Sequence, residues 1–148
     1  MSKQLIVKLE WKEEFETGIT EIDEQHLIII NAINDASEKL SGDISVDLLQ
    51  QITIDLLSYA LYHFETEEEM MQRYGYANKD YDSANRHHKE HRYFSSKILA
   101  IRENLKSGKI ILAKDLIDFL QSWLINHILH TDKDLGVFLL NERVGSSS

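Results

Sequence analysis

Apolar residues recur at intervals of three and four along four long stretches of the chain. Such spacing puts the apolar side chains on one face of an α-helix, so each stretch predicts an amphipathic helix. The four predicted helices cover residues about 20–40, 46–74, 79–106 and 110–131. A shorter periodic segment, about 133–141, predicts a short C-terminal helix. The rest is an N-terminal arm, about 1–18, and a tail, 142–148. The end of this tail, Gly145-Ser146-Ser147-Ser148, has the composition of a frayed end or linker.

Short segments that contain glycine separate the long predicted helices. These segments are Ser41-Gly42-Asp43, Tyr74-Gly75-Tyr76 and Ser107-Gly108-Lys109. Glycine often follows the last turn of a helix, and the chain has no proline to break a helix internally. Because short connections favour antiparallel neighbours, we expect an all-α fold: an antiparallel up-down-up-down four-helix bundle with a short C-terminal helix. The 148 residues fit a single domain, 1–148.

Composition argues against several classes of function. The chain has no cysteine, which excludes disulfides, thiolate metal sites and cysteine nucleophiles. Its formal net charge of -9 argues against a nucleic-acid partner, because phosphate binding requires clustered basic residues. No apolar run reaches the roughly 18 residues of a membrane-spanning helix, and the start lacks the apolar segment of a signal peptide. The default expectation is a cytoplasmic protein without membrane insertion.

Several residues on the apolar faces are ionisable instead of apolar. A buried histidine or carboxylate is costly unless it is hydrogen bonded, paired or bound to a metal. A single one is usually a hydrogen-bonded core histidine, but a set spread over all four helices favours a metal centre. The set is His26, His63, Glu67, His87, His91 and His127. His88 and His130 lie off these faces and are not counted as ligands.

Antiparallel topology would bring this set to one end of the bundle. The late part of the second helix lies beside the early part of the third, and the late part of the fourth beside the early part of the first. His63 and Glu67 then face His87 and His91, while His127 faces His26. The candidate ligands therefore converge without any further assumption.

Asp132 fits this scheme less simply. It follows His127 by five residues, which is roughly 140° of rotation around a regular helix at about 100° per residue. Either the helix ends between the two residues or a one-residue bulge intervenes, as often happens at functional sites. Spacing alone leaves open whether Asp132 is a ligand.

Four motifs combine these residues with their neighbours. They are Gly18-Ile19-x-x-Ile22-Asp23-x-Gln25-His26, His63-Phe64-x-x-Glu67-Glu68, His87-x-x-x-His91 and Trp123-Leu124-x-x-His127-Ile128-x-x-x-Asp132. Together they resemble the hemerythrin family in its bacterial single-domain form, over about Trp11 to Leu140. The resemblance implies a four-helix bundle with a non-haem di-iron centre that binds O2 reversibly, and it implies that Asp132 is a ligand.

The resemblance also assigns the ligands. His87, His91 and His127 would bind one iron, and His26 and His63 would bind the other. Glu67 and Asp132 would bridge the two ions together with an oxo or hydroxo group from solvent. The implied cofactors are therefore two iron ions, as Fe2+ or Fe3+, with O2 bound at an open position on the second iron.

The donor set favours reversible binding over catalysis. Two ferrous ions with five neutral imidazoles and two carboxylates carry a positive formal charge, whereas di-iron enzymes with about four Glu and two His are neutral. Fewer anionic donors stabilise high-valent iron less, so we expect an oxygen-binding protein for storage, transport or sensing. Its partners would be dioxygen and an unidentified protein. The alternatives are a di-iron enzyme, such as a peroxidase, nitric-oxide or nitrite reductase or ferroxidase, and an iron- or O2-responsive interaction module.

Apolar residues next to the candidate ligands predict an O2 pocket. The candidates are Leu124, Phe64, Ile29 and Trp123. A dry pocket over the open iron would exclude water and protons. Ordinary core packing is the alternative interpretation, and it is the favoured one for each of these residues except Leu124.

Polar neighbours of the ligands have structural candidates of their own. Asp23 and Gln25 are candidates to orient imidazole N–H groups. Glu68 is expected on a solvated acidic face, with a structural pair as the alternative, and Met70 and Met71 are expected in the core.

Overall fold

The computed structural model describes residues 8–40 and 45–146, and this part of the chain is helical without any strand. A 3₁₀ turn at Glu13–Phe15 precedes the helices. The helices are α1 (Thr20–Lys39), α2 (Val46–Arg73), α3 (Tyr76–Lys79), α4 (Tyr81–Lys106), α5 (Ala113–Asn126), a π-helix (His127–Asp132) and α6 (Lys133–Ser146). The long helices α1, α2, α4 and α5 form the four-helix bundle that the periodicity predicts. None of the helices in the described ranges is long and apolar enough to cross a membrane.

Polar side chains and glycines set the helix ends. Ser45 accepts a hydrogen bond from the Leu48 backbone N–H and begins α2. Gly75 has φ 71°, a left-handed conformation that lets the chain turn from α2 into α3. Asp80 caps α4 by accepting from the Ser83 backbone N–H, so this helix begins at Tyr81, two residues later than predicted. The predicted turn Ser41-Gly42-Asp43 lies outside the described residues.

The C-terminal part of the chain differs from the prediction in two ways. First, α5 begins at Ala113 instead of 110, because Leu112 is extended with ψ 131°. Second, the predicted short helix, 133–141, continues to Ser146, so a tail starting at 142 is wrong for residues 142–146. No proline or glycine interrupts the sequence between Val137 and Val144, so the helix has no breaker there.

Side-chain contacts define antiparallel neighbours around the bundle. Gln25 of α1 donates to Thr66, late in α2, and His88, early in α4, pairs with Glu68 of α2. The π-helix that follows α5 contacts the early parts of α4 and α1: His127 pairs with Glu90 of α4, and Asp132 lies 2.7 Å from His26 of α1. The early halves of α1 and α4 therefore lie at the same end of the bundle as the late half of α2 and the π-helix, as the up-down-up-down topology requires.

Within residues 8–40 and 45–142, the apolar core consists of two clusters. The larger one fills most of the bundle and reaches its far end at Leu40, Leu49, Leu105 and Leu116. The smaller one lies at the opposite end and is made of Ile19, Ile22, Met71, Tyr76, Ala84, Leu135 and Leu139. The positions between these clusters along the helices are occupied by buried histidines and carboxylates.

The N-terminal arm is bound to α1 by two sets of hydrogen bonds. The backbone of Leu9 exchanges two hydrogen bonds of 2.8 Å with the side-chain amide of Asn34. Asp23 accepts from the backbone and hydroxyl of Thr17 and from the Gly18 backbone. Asp23 therefore holds the arm against α1, and its role is not the predicted one of orienting an imidazole.

Candidate metal centre

Four helical segments each contribute buried ionisable residues to one layer of the bundle. His26 comes from α1, and two pairs one helical turn apart come from α2 and α4. The π-helix supplies the last two residues. The layer contains His26, His63, Glu67, His87, His91, His127 and Asp132, and all seven are at most 3% exposed. We refer to these seven residues as the polar layer.

The π-helix explains how His127 and Asp132 share the layer. It covers all six residues from one to the other, and its wider turn brings residues five apart onto the same face. Asp132 Oδ1 lies 2.9 Å from His127 Nε2. Of the two predicted alternatives, a helix end or a one-residue bulge, the structure has the bulge, and the helix continues beyond it.

The polar layer contains two groups of potential metal ligands that share one residue. The first group is Glu67, His87, His91 and His127, and the second is His26, His63, Glu67 and Asp132. Within each group, one ligand atom per residue lies within 4.8 Å of every other. The structure therefore brings together all seven of the residues that the sequence singles out.

Both carboxylates lie between the two groups. Asp132 Oδ2 is 2.7 Å from His26 Nε2, while its other oxygen is 2.9 Å from His127 Nε2 and 3.3 Å from His87 Nε2. Glu67 Oε1 is 3.0 Å from His63 Nε2 and 3.2 Å from His91 Nε2. Each carboxylate therefore contacts histidines of both groups, as a bridging ligand would.

The charges in the layer are strongly coupled. Burial lowers the pKa of His63, but the negative charges of Glu67 and Asp132 close to its ring outweigh this and raise the pKa to about 9. The same balance raises the pKa of His87 to about 9. Burial raises the pKa of Glu67 and of Asp132, yet the surrounding histidines hold both well below the usual range. Without a metal, protons on imidazoles provide the positive charge that the carboxylates require.

Protons do not satisfy the layer completely. Several buried atoms lack a hydrogen-bond partner among the residues that the structure describes, including both ring nitrogens of His26 and of His87 and both oxygens of Asp132. His26 Nε2 is one of them although it lies 2.7 Å from Asp132 Oδ2. Short distances without hydrogen-bond alignment are expected when lone pairs converge on a shared cation. Imidazole and carboxylate donors suit iron among the transition metals, so the residues fit a two-iron cofactor.

A known protein family matches the helices that carry this layer. The family model of the hemerythrin HHE cation binding domain covers residues 17–139. The chain belongs to the hemerythrin family. The matched range includes every residue of the polar layer.

Individual hemerythrins align over most of the chain. A bacteriohemerythrin from Clostridium acetobutylicum is 29% identical over 128 residues, which cover 84% of this chain and 95% of that protein. A bacteriohemerythrin from Pseudomonas aeruginosa is 31% identical over 124 residues, with coverages of 84% and 76%. A myohemerythrin from Theromyzon tessulatum is 30% identical over 123 residues, with coverages of 83% and 87%. A crystal structure of wild-type hemerythrin superposes with a TM-score of 0.80 at 26% identity, covering 90% of this chain and 98% of that one.

Outer hydrogen bonds orient two imidazoles of this hemerythrin. The Nδ1 of His63 lies 2.8 Å from Gln25 Oε1, which agrees with the expectation for Gln25. The Nδ1 of His127 lies 2.8 Å from Glu90 Oε1, and Thr131 donates to both oxygens of Glu90 at 2.6 and 2.8 Å. Burial raises the pKa of Glu90, but these bonds lower it overall. Sequence reasoning missed Glu90; its position between His87 and His91 was the available signal.

The four predicted pocket residues line one apolar cavity of the hemerythrin bundle. Its volume, for the centre of a water-sized sphere, is about 10 Å³. The lining consists of Ile29, Ile33, Leu56, Ala60, Phe64, Phe94, Leu120, Trp123 and Leu124. A single water needs roughly 10–15 Å³ and several polar partners. This cavity is at the lower limit in size and its lining is almost entirely apolar, so it disfavours water.

Two rings of the cavity wall stack on histidines of the polar layer. Phe64 stacks on His91 with centroids 3.9 Å apart, and Trp123 stacks on His127 at 4.5 Å. Phe64 also contacts the His63 ring at 6.1 Å. The apolar wall thus packs directly on the metal-binding face.

The remaining predicted residues lie outside the layer. His130 is exposed, and His88 is half-buried and pairs with Glu68 at 2.7 Å. This contact is the structural pair considered for Glu68. Met71 is buried in the smaller apolar cluster, and Met70 packs against it.

Proposed function

We propose that this hemerythrin holds two iron ions and binds O2 reversibly, as a cytoplasmic store, carrier or sensor of oxygen. In this assignment His87, His91 and His127 bind one iron, which we call the three-histidine iron. His26 and His63 bind the other, the two-histidine iron. Glu67 and Asp132 bridge them. The pair of overlapping ligand groups within one buried layer carries the proposal.

The unequal number of histidines supports binding at one of the two ions. Both carboxylates are shared, so the three-histidine iron has one more protein ligand than its neighbour. The two-histidine iron therefore keeps a position for an external ligand. Bound ferrous ions supply the two electrons that O2 takes up on binding.

The protein surroundings support reversibility. The apolar cavity beside the layer keeps water away from the site, and protons that would promote release of reduced oxygen enter less easily. Phe64 and Trp123 also fix His91 and His127 by stacking. A rigid, dry site changes little when O2 enters or leaves, which suits a carrier or sensor.

The first experiment combines iron analysis with ultraviolet-visible spectroscopy. The protein is loaded with Fe2+ without oxygen, exposed to O2 and returned to anaerobic conditions. We expect two irons per chain and a coloured oxygenated form that bleaches reversibly. His26→Ala should reduce the iron content and abolish the colour, while His130→Ala, at an exposed histidine, should retain both.

The other outcomes distinguish the alternative functions. Immediate oxidation of two irons without a stable adduct, together with turnover beyond one equivalent per site, would favour a di-iron enzyme. Fewer than two irons in the unaltered chain would contradict the ligand assignment. A change in partner binding on iron loss, without O2 binding, would favour an interaction module.

A further inference from the structure

The imidazoles of the two iron sites have different outer partners. At the two-histidine iron, His63 Nδ1 faces the amide oxygen of Gln25 at 2.8 Å. At the three-histidine iron, His127 Nδ1 faces the carboxylate of Glu90 at 2.8 Å. His91 Nδ1 also lies 3.5 Å from the carboxylate of Glu68. The neutral acceptor is therefore on one side of the centre and the negative acceptors are on the other.

The orientation of the Gln25 amide follows from its own hydrogen bonds. Thr66 donates its hydroxyl proton to the Tyr62 carbonyl, so its oxygen is left to accept from Gln25 Nε2 at 3.0 Å. Gln25 must then present its oxygen to His63. In the iron-bound protein His63 would therefore keep its proton on Nδ1 and offer the lone pair of Nε2 to the metal.

Glu90 is fixed as an acceptor by a separate network. Thr131, within the π-helix, donates to both of its oxygens. Arg86 Nε lies 3.7 Å from Glu90 Oε2, and the same guanidinium donates to Asp134 at 2.6 Å. These contacts hold the carboxylate beside His127 and tie α4 to the π-helix and to α6.

A carboxylate and an amide affect an imidazole differently. A hydrogen bond to a carboxylate is charge-assisted and draws the Nδ1 proton away from the ring, which makes the opposite nitrogen a stronger metal donor. An amide oxygen does this much less. Stronger donors stabilise the ferric state relative to the ferrous state at the iron they bind.

We infer that Glu90, acting through His127, is a positioning residue that biases the three-histidine iron toward its ferric state, while Gln25 leaves the two-histidine iron without an equal bias. This inference rests on the proposed ligand assignment. It goes beyond that assignment, because it predicts that residues which do not touch iron set the two reduction potentials apart.

The test measures the one-electron reduction potentials of the iron-loaded protein, with the mixed-valence state followed by electron paramagnetic resonance. Glu90→Gln keeps a hydrogen-bond acceptor but removes the charge. It should increase the equilibrium constant for reduction of the three-histidine iron at least tenfold. This is a rise in its reduction potential of about 59 mV for one electron. Glu90→Asp, which restores the charge, should recover part of this change.

Two further variants separate a local effect from net charge. Gln25→Glu should lower the reduction potential of the two-histidine iron, with a change in the equilibrium constant for reduction of similar size. Asp118→Asn removes one charge from an exposed ion pair with Lys114 in α5. Asp118 lies about nine residues before His127 on the continuous helix that α5 forms with the π-helix. It should change the equilibrium constants for reduction of both irons less than threefold, since exposed charges are screened.

Iron content separates failure of the inference from failure of the proposed function. If the unaltered protein holds two irons and Glu90→Gln leaves both potentials unchanged, the inference is wrong and the function stands. An equal shift in Asp118→Asn would also overturn it. If Glu90→Gln loses iron, the Gln25→Glu variant becomes the test of the inference. An unchanged reduction potential of the two-histidine iron in that variant overturns it. An unaltered protein without two irons would refute both.

Discussion

The far apolar end of the bundle and the polar layer are built on different physical principles. At the far end, Leu40, Leu49, Leu105 and Leu116 meet on regular α-helices, and their burial is favourable in itself. In the polar layer, seven buried ionisable residues need a cation to balance them, and one helix departs from α geometry to supply two of them. The same four helices therefore contain one region that is stable alone and one that depends on its cofactor.

Removal of iron should cause the largest loss of stability, and this loss should come from the polar layer. At free iron about 1,000-fold above its dissociation constant, binding stabilises the folded state by about 4 kcal/mol. For a chain of this size that is roughly 10 °C in melting temperature. Anaerobic calorimetry of iron-loaded and metal-free protein measures the difference. Asp132→Asn is the control and should respond to iron much less; equal melting temperatures for loaded and metal-free wild type would contradict the contrast.

Truncation of the apolar end should act independently of iron. Leu116 is 1% exposed, so Leu116→Ala should cost about 3 kcal/mol of unfolding free energy through lost burial and a cavity. The loss should be the same with and without iron, at unchanged iron content. Urea unfolding and metal analysis provide both quantities. Ile110→Ala, at a side chain that is 90% exposed, is the matched control. Loss of iron from Leu116→Ala would show that the two regions are coupled.

Substitution of Gly136 should destabilise the end next to the polar layer by a smaller amount. A Cβ at this position would lie 2.8 Å from the backbone oxygen of Thr17 and 2.9 Å from its Cβ. Gly136→Ala should therefore cost about 1–3 kcal/mol by overpacking α6 against the N-terminal arm. Val137→Ala, next to it but 62% exposed, should be nearly neutral. Equal unfolding free energies for the two variants would mean that the arm yields without cost.

The pH dependence of the metal-free protein tests the same contrast without iron. Because the folded pKa of His63 and of His87 is raised from 6.5 to about 9, their stabilisation is complete below pH 6.5 and is lost as pH rises toward 9. Iron binding displaces these protons, so the loaded protein should lack this decline. Urea titrations across this pH range measure both forms; metal-free stability that increases with pH would contradict the sign.

The sequence predicts the bundle and the convergence of the polar layer because both follow from helical periodicity. His26, His63, Glu67, His87, His91 and His127 occupy core positions that an antiparallel topology brings to one level. The family resemblance supplied Asp132, which periodicity alone did not decide. Its 140° offset from His127 is removed only by the π-helix, whose formation depends on contacts with other helices.

The role of Glu90 could not be derived from local pattern. It lies among the charged residues of α4, and its partners His127 and Thr131 are 37 and 41 residues away along the chain. The continuation of the last helix to Ser146 was missed for a different reason. The run Gly145-Ser146-Ser147-Ser148 is typical of a frayed end and favoured an early helix end, although residues 137–144 contain neither glycine nor proline.

The π-helix also constrains which changes in length the chain tolerates. Deleting one residue between His127 and Asp132 would leave a four-residue spacing that an ordinary α-helix presents on one face. The residues after the deletion would keep their rotation relative to Asp132, so Leu135 and Leu139 would stay in the smaller apolar cluster and Gly136 beside Thr17. The extra residue is thus absorbed within one widened turn, and α6 stays in phase with α5. A one-residue deletion between Leu116 and His127 would instead rotate His127 and everything after it by about 100° relative to the apolar end of the bundle.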